Sequence, residues 1–335
     1  MFLGSLAAGP KELLRTSVYP TNNNEYFFKP ICCLAISGDV VYGVENLSNK
    51  VIALKLNYPK LEYSRDIGRP GQGPGDLLYP IAAAISGDEI IIKEASAFSF
   101  FGIDGSFRSK FRAYSNNSAF FFLDNKLYWL NPSIKRSHLI EVYLKNGLMT
   151  STIGDKSVMP QAMTEDPIRV DSIFEGIVFP YDNSVFYISA RFGSYCRYSF
   201  AGDMLVEGDI GGLFGARGDR IKRFNTDVLI YKEIRKAEDS GYPKPLIFEA
   251  ASVLNEEIFF MGSRYDPTGE GKTYLDLKRV KLDSMSTIDD YVVIKKGFCR
   301  IDSFIIFKRA GNLVMILSIT DFGEGHFLEL YEIRE

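Results

Sequence analysis

The sequence has 335 residues, of which 46% are hydrophobic, 24% charged and 14% aromatic, and its formal net charge is −3. Its 26 phenylalanines and 19 tyrosines supply enough apolar surface for a folded core, which excludes a disordered chain. Basic and acidic residues number 39 and 42, so the sequence provides no positive field for a polyanion and we expect no nucleic-acid partner.

Neither the cysteines nor the apolar runs indicate a disulfide framework, a zinc site or a membrane span. Two of the four cysteines are adjacent, Cys32 and Cys33, and no spacing typical of zinc ligands occurs. The longest apolar runs, such as 118–123, are far shorter than the roughly 20 residues that cross a bilayer. Residues 2–9 are apolar but lack the basic n-region of a signal peptide. Either the protein is not exported or its export signal lies outside this sequence.

In chain order, one pattern recurs six times: an apolar run, a tight turn of Gly, Asp or Asn, and a second β-rich run. Gly, Asn and Asp tolerate the positive φ that two-residue hairpin turns require. The six turns are Ser37-Gly38-Asp39, Ser86-Gly87-Asp88, Leu123-Asp124-Asn125, Tyr181-Asp182-Asn183, Leu254-Asn255-Glu256 and Ala310-Gly311-Asn312. A third β-rich segment follows each hairpin, at 50–56, 98–103, 139–144, 195–200, 274–282 and 327–333.

Five of the six units then turn back into a fourth segment, so each unit is predicted to be a four-stranded antiparallel meander. The turns recur at intervals of 36 to 73 residues. Repeats of four strands at roughly 40 to 50 residues are typical of a β-propeller, and insertions between strands explain the spread of lengths. We therefore predict an all-β, six-bladed propeller that forms a single domain over 1–335. Its predicted blades are 30–67, 80–112, 118–154, 172–211, 246–294 and 298–335.

Two segments outside the repeat have predicted structures of their own. The sixth unit ends after three strands, and the segment 12–19 is the predicted fourth strand of that blade. Pairing the two chain ends in one blade would close the propeller and cover an exposed edge. In the insertion at 218–241, apolar residues fall at a rough helical spacing, which predicts a short helix near 219–240.

The connection between the first two units carries a distinctive motif, Gly68-Arg69-Pro70-Gly71-Gln72-Gly73-Pro74-Gly75-Asp76-Leu77, with Pro80 following. It resembles the G-x-G-P-G-[ED]-[FL] segment that joins two blades in the TolB-like, NHL-like six-bladed propellers of Bacteroidetes. The resemblance implies the propeller fold. It also implies export to the periplasm or cell envelope, because many members of that family are exported lipoproteins of unassigned activity, although no lipobox cysteine follows an apolar run here.

The same motif differs from a phosphate-binding loop. Its glycine spacing is neither that of a P-loop nor that of a dinucleotide-binding fingerprint, and its two prolines lack the amide donors that a phosphate cradle needs. We interpret it as a structural linker.

We expect binding on the rim that carries the second-to-third strand loops and the linkers between blades, because loops carry binding while sheets serve as scaffold. Its mixture of guanidinium, carboxylate, amide and aromatic groups suits a protein, peptide or glycan ligand, and an ordinary solvated rim is the alternative. The predicted rim residues are Arg69, Gln72, Arg136, His138, Arg191, Tyr195, Arg264, Asp266 and His326, accompanied by Glu45, Asn46, Glu94, Asn131 and Tyr265.

Three acids occupy similar positions on predicted inner strands: Glu175, Glu249 and Asp302. At equal depth they would converge on the central channel, where an oxygen-rich cluster suits calcium, the one cofactor that the sequence suggests. The alternative is that these acids pair with Arg169, Arg300 or backbone amides.

Two functions remain open at this point. We expect a non-catalytic ligand-binding or protein-interaction scaffold, because neither a G-x-S-x-G elbow nor an H-E-x-x-H motif occurs. The alternative is a calcium-dependent hydrolase or lyase with its site in the central channel.

Overall fold

The computed structural model describes residues 10–20, 29–113, 119–130, 138–155, 176–190, 193–215, 246–266 and 271–334. Contacts within the chain divide it into two compact units, one formed by Met1–Glu25 with Glu249–Glu335 and the other by Tyr26–Phe248. Six sheets of four antiparallel strands, one of which has an extra edge strand, are the blades of a β-propeller. The predicted all-β, six-bladed fold is confirmed. That the whole chain is a single domain stays a prediction.

The described chain opens with two short strands, β1 (Lys11–Glu12) and β2 (Arg15–Tyr19), and then enters the unit that holds the first four blades. Blade one comprises β3 (Ile31–Ser37), β4 (Val40–Glu45), β5 (Lys50–Asn57) and β6 (Lys60–Ile67). A two-stranded ribbon of β7 (Arg69–Pro70) and β8 (Asp76–Leu77) follows it. Blade two comprises β9 (Pro80–Ser86), β10 (Glu89–Glu94), β11 (Ala97–Gly102) and β12 (Phe107–Arg112).

The remaining blades of this unit follow the same plan. Blade three comprises β13 (Phe120–Leu123), β14 (Lys126–Leu130), β15 (His138–Leu144) and β16 (Met149–Asp155). Blade four comprises β17 (Gly176–Tyr181), β18 (Ser184–Ser189), β19 (Ser194–Ser199) and β20 (Met204–Asp209). Short 3₁₀ turns occur at Asn46–Ser48 and Gly211–Phe214.

The hairpin turns have the backbone that their residues predict. Asp124 and Asn125 have φ values of 50° and 60°, and Asp182 and Asn183 have φ values of 45° and 53°. Two successive residues with positive φ match the right-handed twist of the flanking strands, which is why short polar residues occupy these positions.

The second strand of each blade is largely buried on both of its faces. β10 is an example, since Ile90, Ile91 and Ile92 are all fully buried. Such strands therefore read as continuous apolar runs instead of alternating ones. Between blades two and three the contact is aromatic: the Phe98 ring meets Trp129 edge-on, with 5.5 Å between the ring centroids.

The second unit contains blades five and six. Blade five comprises β21 (Ala250–Leu254), β22 (Glu257–Asp266), β23 (Lys272–Lys281) and β24 (Ser286–Lys296). Blade six comprises β25 (Cys299–Arg309), β26 (Asn312–Asp321) and β27 (Gly325–Ile333). β2 pairs antiparallel with β27 and supplies the fourth strand of blade six, while β1 pairs in parallel with β24 of blade five. The predicted completion of the last blade by the N-terminal segment is confirmed.

A buried carboxylate fastens the N-terminal strand. Glu329 in β27 is fully buried and accepts hydrogen bonds from the Arg15 guanidinium of β2, from Lys295 Nζ of β24 at 2.6 Å and from the Tyr331 hydroxyl at 2.7 Å. Leu13 is buried among core residues of both blades. One acid thus ties the N-terminal strand to blade six and blade six to blade five.

The helix predicted near 219–240 lies outside the described residues. The described part of the chain has no helix with the length and hydropathy of a membrane span.

Deleting residues 1–20 removes β1, β2 and the Arg15 cation, and it exposes the edge of β27. Loss of the buried Leu13 and Tyr19 side chains and of one charged hydrogen bond is expected to cost about 5 kcal/mol of unfolding free energy. The midpoint of thermal unfolding should fall by about 10 °C, measured by circular dichroism. Deleting only residues 1–9 keeps both strands and is the control; equal melting temperatures for the two deletions would refute the fastening role.

Candidate functional site

The glycine-rich linker between blades one and two folds around the side chain of Asp76. Its Oδ1 accepts a hydrogen bond from Arg69 Nε at 2.6 Å, and its Oδ2 accepts one from the Gly73 amide at 2.9 Å. A Cβ atom on Gly71 would lie 2.3 Å from Asp76 Oδ2, so this position requires glycine. Hydrogen bonding to Arg69 lowers the pKa of the Asp76 carboxyl. The segment is built as a closed loop, consistent with a structural linker, and Gln72 is exposed on it.

Asp76→Asn keeps the shape of this side chain but removes its charge. We expect a lower melting temperature for the variant at pH 7, because the ionised form of Asp76 is the one that Arg69 stabilises. Since the folded pKa is depressed, this contribution is present above the ordinary carboxyl pKa and is lost in acid, so the difference should shrink at pH 3. Thermal unfolding at both pH values measures it. Asp66→Asn, which removes a surface ion pair with Lys50, is the control and should change little.

Two acids predicted at the rim end the second strands of blades one and two, and both are buried. Glu94 accepts hydrogen bonds from the Leu78 amide at 2.6 Å and the Ser99 hydroxyl at 2.5 Å. Glu45 is 1% exposed, and Lys50 Nζ lies 3.7 Å from its Oε2. Burial raises the pKa of Glu45 to about 7. Both carboxylates therefore belong to the interior of their blades.

The raised pKa makes Glu45 a source of pH-dependent stability. Between the unfolded pKa and about 7 the folded protein holds a proton that the unfolded chain releases, so stability falls as pH rises. The glutamine in Glu45→Gln does not titrate, so this variant should not lose stability in the same way. As the pH is raised from 4 to 8, its unfolding free energy should increase by about 2 to 3 kcal/mol relative to that of the unmodified protein. Urea denaturation at both pH values tests this. The exposed Glu62→Gln is the control, and the same pH trend in both variants would contradict the assignment.

His138 and Tyr195 pack within their own blades. His138 Nε2 lies 3.2 Å from Glu141 Oε1, and the imidazole is half-buried. The Tyr195 ring stacks on Phe186 with 6.2 Å between centroids and lies against Gly208, where a Cβ would approach it to 2.5 Å. Five residues named in the sequence-based predictions lie outside the described residues: Asn131, Arg136, Arg169, Glu175 and Arg191.

An aromatic cluster of Tyr265, Phe298 and Phe322 occupies the rim of blades five and six. Tyr265 lies near the end of β22, Phe298 in the linker between β24 and β25, and Phe322 in the turn between β26 and β27. The Tyr265 and Phe298 ring centroids are 5.5 Å apart, and the Phe298 and Phe322 centroids are 5.1 Å apart. The three residues are nevertheless 45%, 46% and 61% exposed. The end of β22, the linker and the turn between β26 and β27 thus contribute one ring each.

A polar network lies on the same end of blade six. Arg300 donates from Nε and Nη2 to Asp302 Oδ1 at 2.9 and 2.7 Å. The Thr320 hydroxyl donates to Asp302 Oδ2 at 2.5 Å, and His326 Nδ1 lies 2.8 Å from the same hydroxyl oxygen. Because the hydroxyl proton points to the carboxylate, its oxygen accepts from His326 Nδ1–H. The structure therefore brings together Asp302 and His326, which the sequence assigned to different sites.

The order of groups in this network differs from that of a catalytic triad. In a triad the imidazole lies between the carboxylate and the hydroxyl and takes the hydroxyl proton, whereas here the Thr320 hydroxyl lies between Asp302 and His326. Arg300 also neutralises the carboxylate. The arrangement fixes side-chain orientation at the rim and does not activate the Thr320 oxygen.

The aromatic cluster and the polar network form one continuous surface. Arg300 and Thr320 are register partners, Cys299 and Asp321 form the next pair toward the rim, and beyond that pair the Phe322 amide donates to the Phe298 carbonyl oxygen at 3.3 Å. The Arg300 side chain is 54% exposed, whereas the Asp302 side chain is 4% exposed. The cation thus faces outward and its partner acid faces inward.

The remaining predicted groups of this unit have local partners. Arg264 donates to Asp276 at 3.0 Å, and its guanidinium lies 4.1 Å from the centroid of the Tyr274 ring. Asp266 is half-buried at the end of β22. Glu249 accepts hydrogen bonds from the amide and hydroxyl of Ser263 at 2.9 and 2.6 Å. These contacts hold each side chain against its own blade.

The calcium site stays a prediction. Of its three acids, Glu249 is bound to Ser263 and Asp302 to Arg300, which is the kind of pairing that the alternative interpretation expects, and Glu175 lies outside the described residues. Within the described ranges, no group of three or more histidine, cysteine or acidic side chains is placed to hold a metal ion.

The sequence reasoning missed Phe298 and Phe322. Phe298 follows Gly297 in the linker between β24 and β25, and Phe322 directly follows the last residue of β26, so neither belongs to a strand. An aromatic residue outside the strands lacks the cross-strand pairing that covers strand side chains, and that position was the available signal.

No family model and no curated protein matches this sequence. Solved structures do match. A Bacteroides fragilis protein thought to be exported is similar at 12% identity with a TM-score of 0.57, over 97% of this chain and 94% of that one. A member of the DUF4221 family from Bacteroides vulgatus is similar at 10% identity with a TM-score of 0.52, over 96% and 98% of the two chains. At these identities the likeness concerns the fold alone.

Proposed function

We propose that this protein is a non-catalytic scaffold that binds a protein, peptide or glycan on the rim of blades five and six. The aromatic cluster is the observation that carries the proposal. The Phe298 ring contacts both of the others, yet the three residues are 45% to 61% exposed, so a bound partner would remove their apolar surface from water. Aromatic residues and arginine are the side chains enriched in the centres of binding interfaces, and Arg300 adjoins this cluster.

The polar network supports binding over catalysis. A catalytic hydroxyl needs a base that takes its proton, whereas Thr320 donates to a carboxylate already paired with Arg300. The alternative, a calcium-dependent hydrolase or lyase, depends on Glu175, Glu249 and Asp302. The two of these that the structure describes are held by protein partners, which favours the scaffold.

We extend the proposal to location. The motif at 68–77 resembles the linker of TolB-like, NHL-like propellers, many of which are exported lipoproteins. The similar Bacteroides fragilis protein is also thought to be exported. Export to the periplasm or cell envelope is therefore the proposed setting, with lipid attachment as one route to it.

Binding screens with matched variants test the scaffold proposal. The unmodified protein and a Phe298→Ser/Phe322→Ser double variant are applied in parallel to a glycan array and to a displayed peptide library. Ligands of the unmodified protein should bind the double variant at least about tenfold more weakly, because two exposed rings leave the interface.

Leu47→Ser is the matched control, because Leu47 is 61% exposed and lies in blade one. It should keep full binding, and circular dichroism should show that both variants stay folded. Ligands that bind the double variant and the unmodified protein equally would move the binding site away from this rim.

A further inference from the structure

We infer that the rim of blades five and six binds an extended peptide segment in which an apolar side chain stands two residues from an aspartate or glutamate. This inference rests on the proposed scaffold function and selects one of its three ligand classes. It is drawn from the chemistry of the rings, from the sign of the exposed charge beside them, and from the spacing between the two.

The rings favour a peptide over a glycan. Phe298 and Phe322 carry no polar atoms, and their centroids are 5.1 Å apart with an angle of 30° between the ring planes. A glycan presents hydroxyl groups on most of its carbons, and each hydroxyl that loses water needs a hydrogen-bond partner. Phenylalanine rings provide none. An aliphatic or aromatic side chain loses no hydrogen bond to water when it binds this surface, and it buries apolar area.

The exposed charge beside the rings is mostly positive. Arg300 is 54% exposed, and its two hydrogen bonds to Asp302 involve only part of a guanidinium that has five N–H groups. Lys296 is also exposed. Of the neighbouring acids, Asp302 is buried and Asp321 accepts hydrogen bonds from two backbone amides of its turn, whereas Glu324 is exposed.

This pattern complements an anionic ligand. A carboxylate can pair with the outward part of the Arg300 guanidinium in the bidentate geometry that arginine favours. A cationic ligand would instead meet the exposed Arg300 and Lys296.

The spacing of the two features fits an extended chain. Phe298 and Arg300 are exposed while Cys299 between them is buried, so the outer two side chains point to the same face. Side chains two residues apart in an extended segment are about 7 Å apart. A ligand segment with the same alternation therefore matches both groups at once, with an apolar residue over the rings and an acid at Arg300.

Fluorescence anisotropy with labelled synthetic peptides tests this inference. The first probe is a 12-residue peptide that repeats Phe-Ser-Asp. The second replaces each Asp with Lys, and the third replaces each Phe with Ala. We expect the first to bind at least about tenfold more tightly than either of the others. Binding of the first should weaken as salt is raised from 50 to 500 mM.

Protein variants test whether Arg300 binds the acidic side chain of the peptide and whether the rings bind the apolar one. Arg300→Gln should bring the affinities for the Asp and Lys peptides within about threefold of each other, whereas Arg300→Lys should keep most of the preference. Phe298→Ser should weaken all binding, and Ile288→Ser, at a 42% exposed position of β24, should not. Because Arg300→Gln leaves Asp302 buried without its cation, thermal unfolding is measured alongside, and the peptide charge exchange tests the same contact in the unmodified protein.

The outcomes separate the inference from the scaffold proposal. Equal affinity for the Asp and Lys peptides, or no binding of any peptide, overturns the peptide inference. If glycans then bind in a way that depends on Phe298 and Phe322, the scaffold stands with a different ligand class. If neither class binds through these rings, both proposals fail.

Discussion

Pairing of β2 with β27 is the interaction on which the rim of blades five and six depends. Without it the last blade has three strands and an open edge, and sheet edges of this kind invite pairing with other chains. Glu329 secures the pairing, because Arg15 and Lys295 reach the same buried carboxylate from β2 and β24. Lys295 lies only three residues before Phe298, so the contact that holds the N-terminal strand also holds the linker that presents the central ring of the aromatic cluster.

The repeat and its turns could be predicted because they depend on local chemistry. Positive φ at Asp124 and Asn125 follows from which residues tolerate that backbone, and each turn then sets the register of its hairpin. Which charged side chains are buried could not be predicted from the local sequence. Lys93 ends an apolar run and resembles a solvated strand end, yet it is fully buried, with its ammonium 5.2 Å from the centroids of both Phe98 and Trp129. One of these rings, Trp129, comes from the neighbouring blade, which no local pattern identifies.

In the candidate site, too, features set by local sequence could be predicted, whereas contacts with distant residues could not. The sequence predicts binding at the second-to-third strand loops and linkers, and of the residues it names, Tyr265 and His326 lie in or beside the proposed surface of blades five and six. For Asp302 the sequence left two possibilities open, a metal in the channel or pairing with an arginine; its carboxylate pairs with Arg300 and also accepts from Thr320, whose hydroxyl contacts His326, a group that the sequence did not connect with it. Pairing across a bulge between Ile301 and Ser303 decides which groups Asp302 meets, and irregular pairing of this kind has no clear sequence signature.

The bond between Arg15 and Glu329 spans 314 positions of the chain. A ribosome makes residue 15 long before residue 329, so β2 remains without its partner strand β27 while the strands between them are synthesised. Closing so large a loop is entropically costly, and the final blade is therefore expected to assemble late. The proposed binding surface of blades five and six would then be absent from nascent chains until residue 329 has been synthesised and β2 has paired with β27.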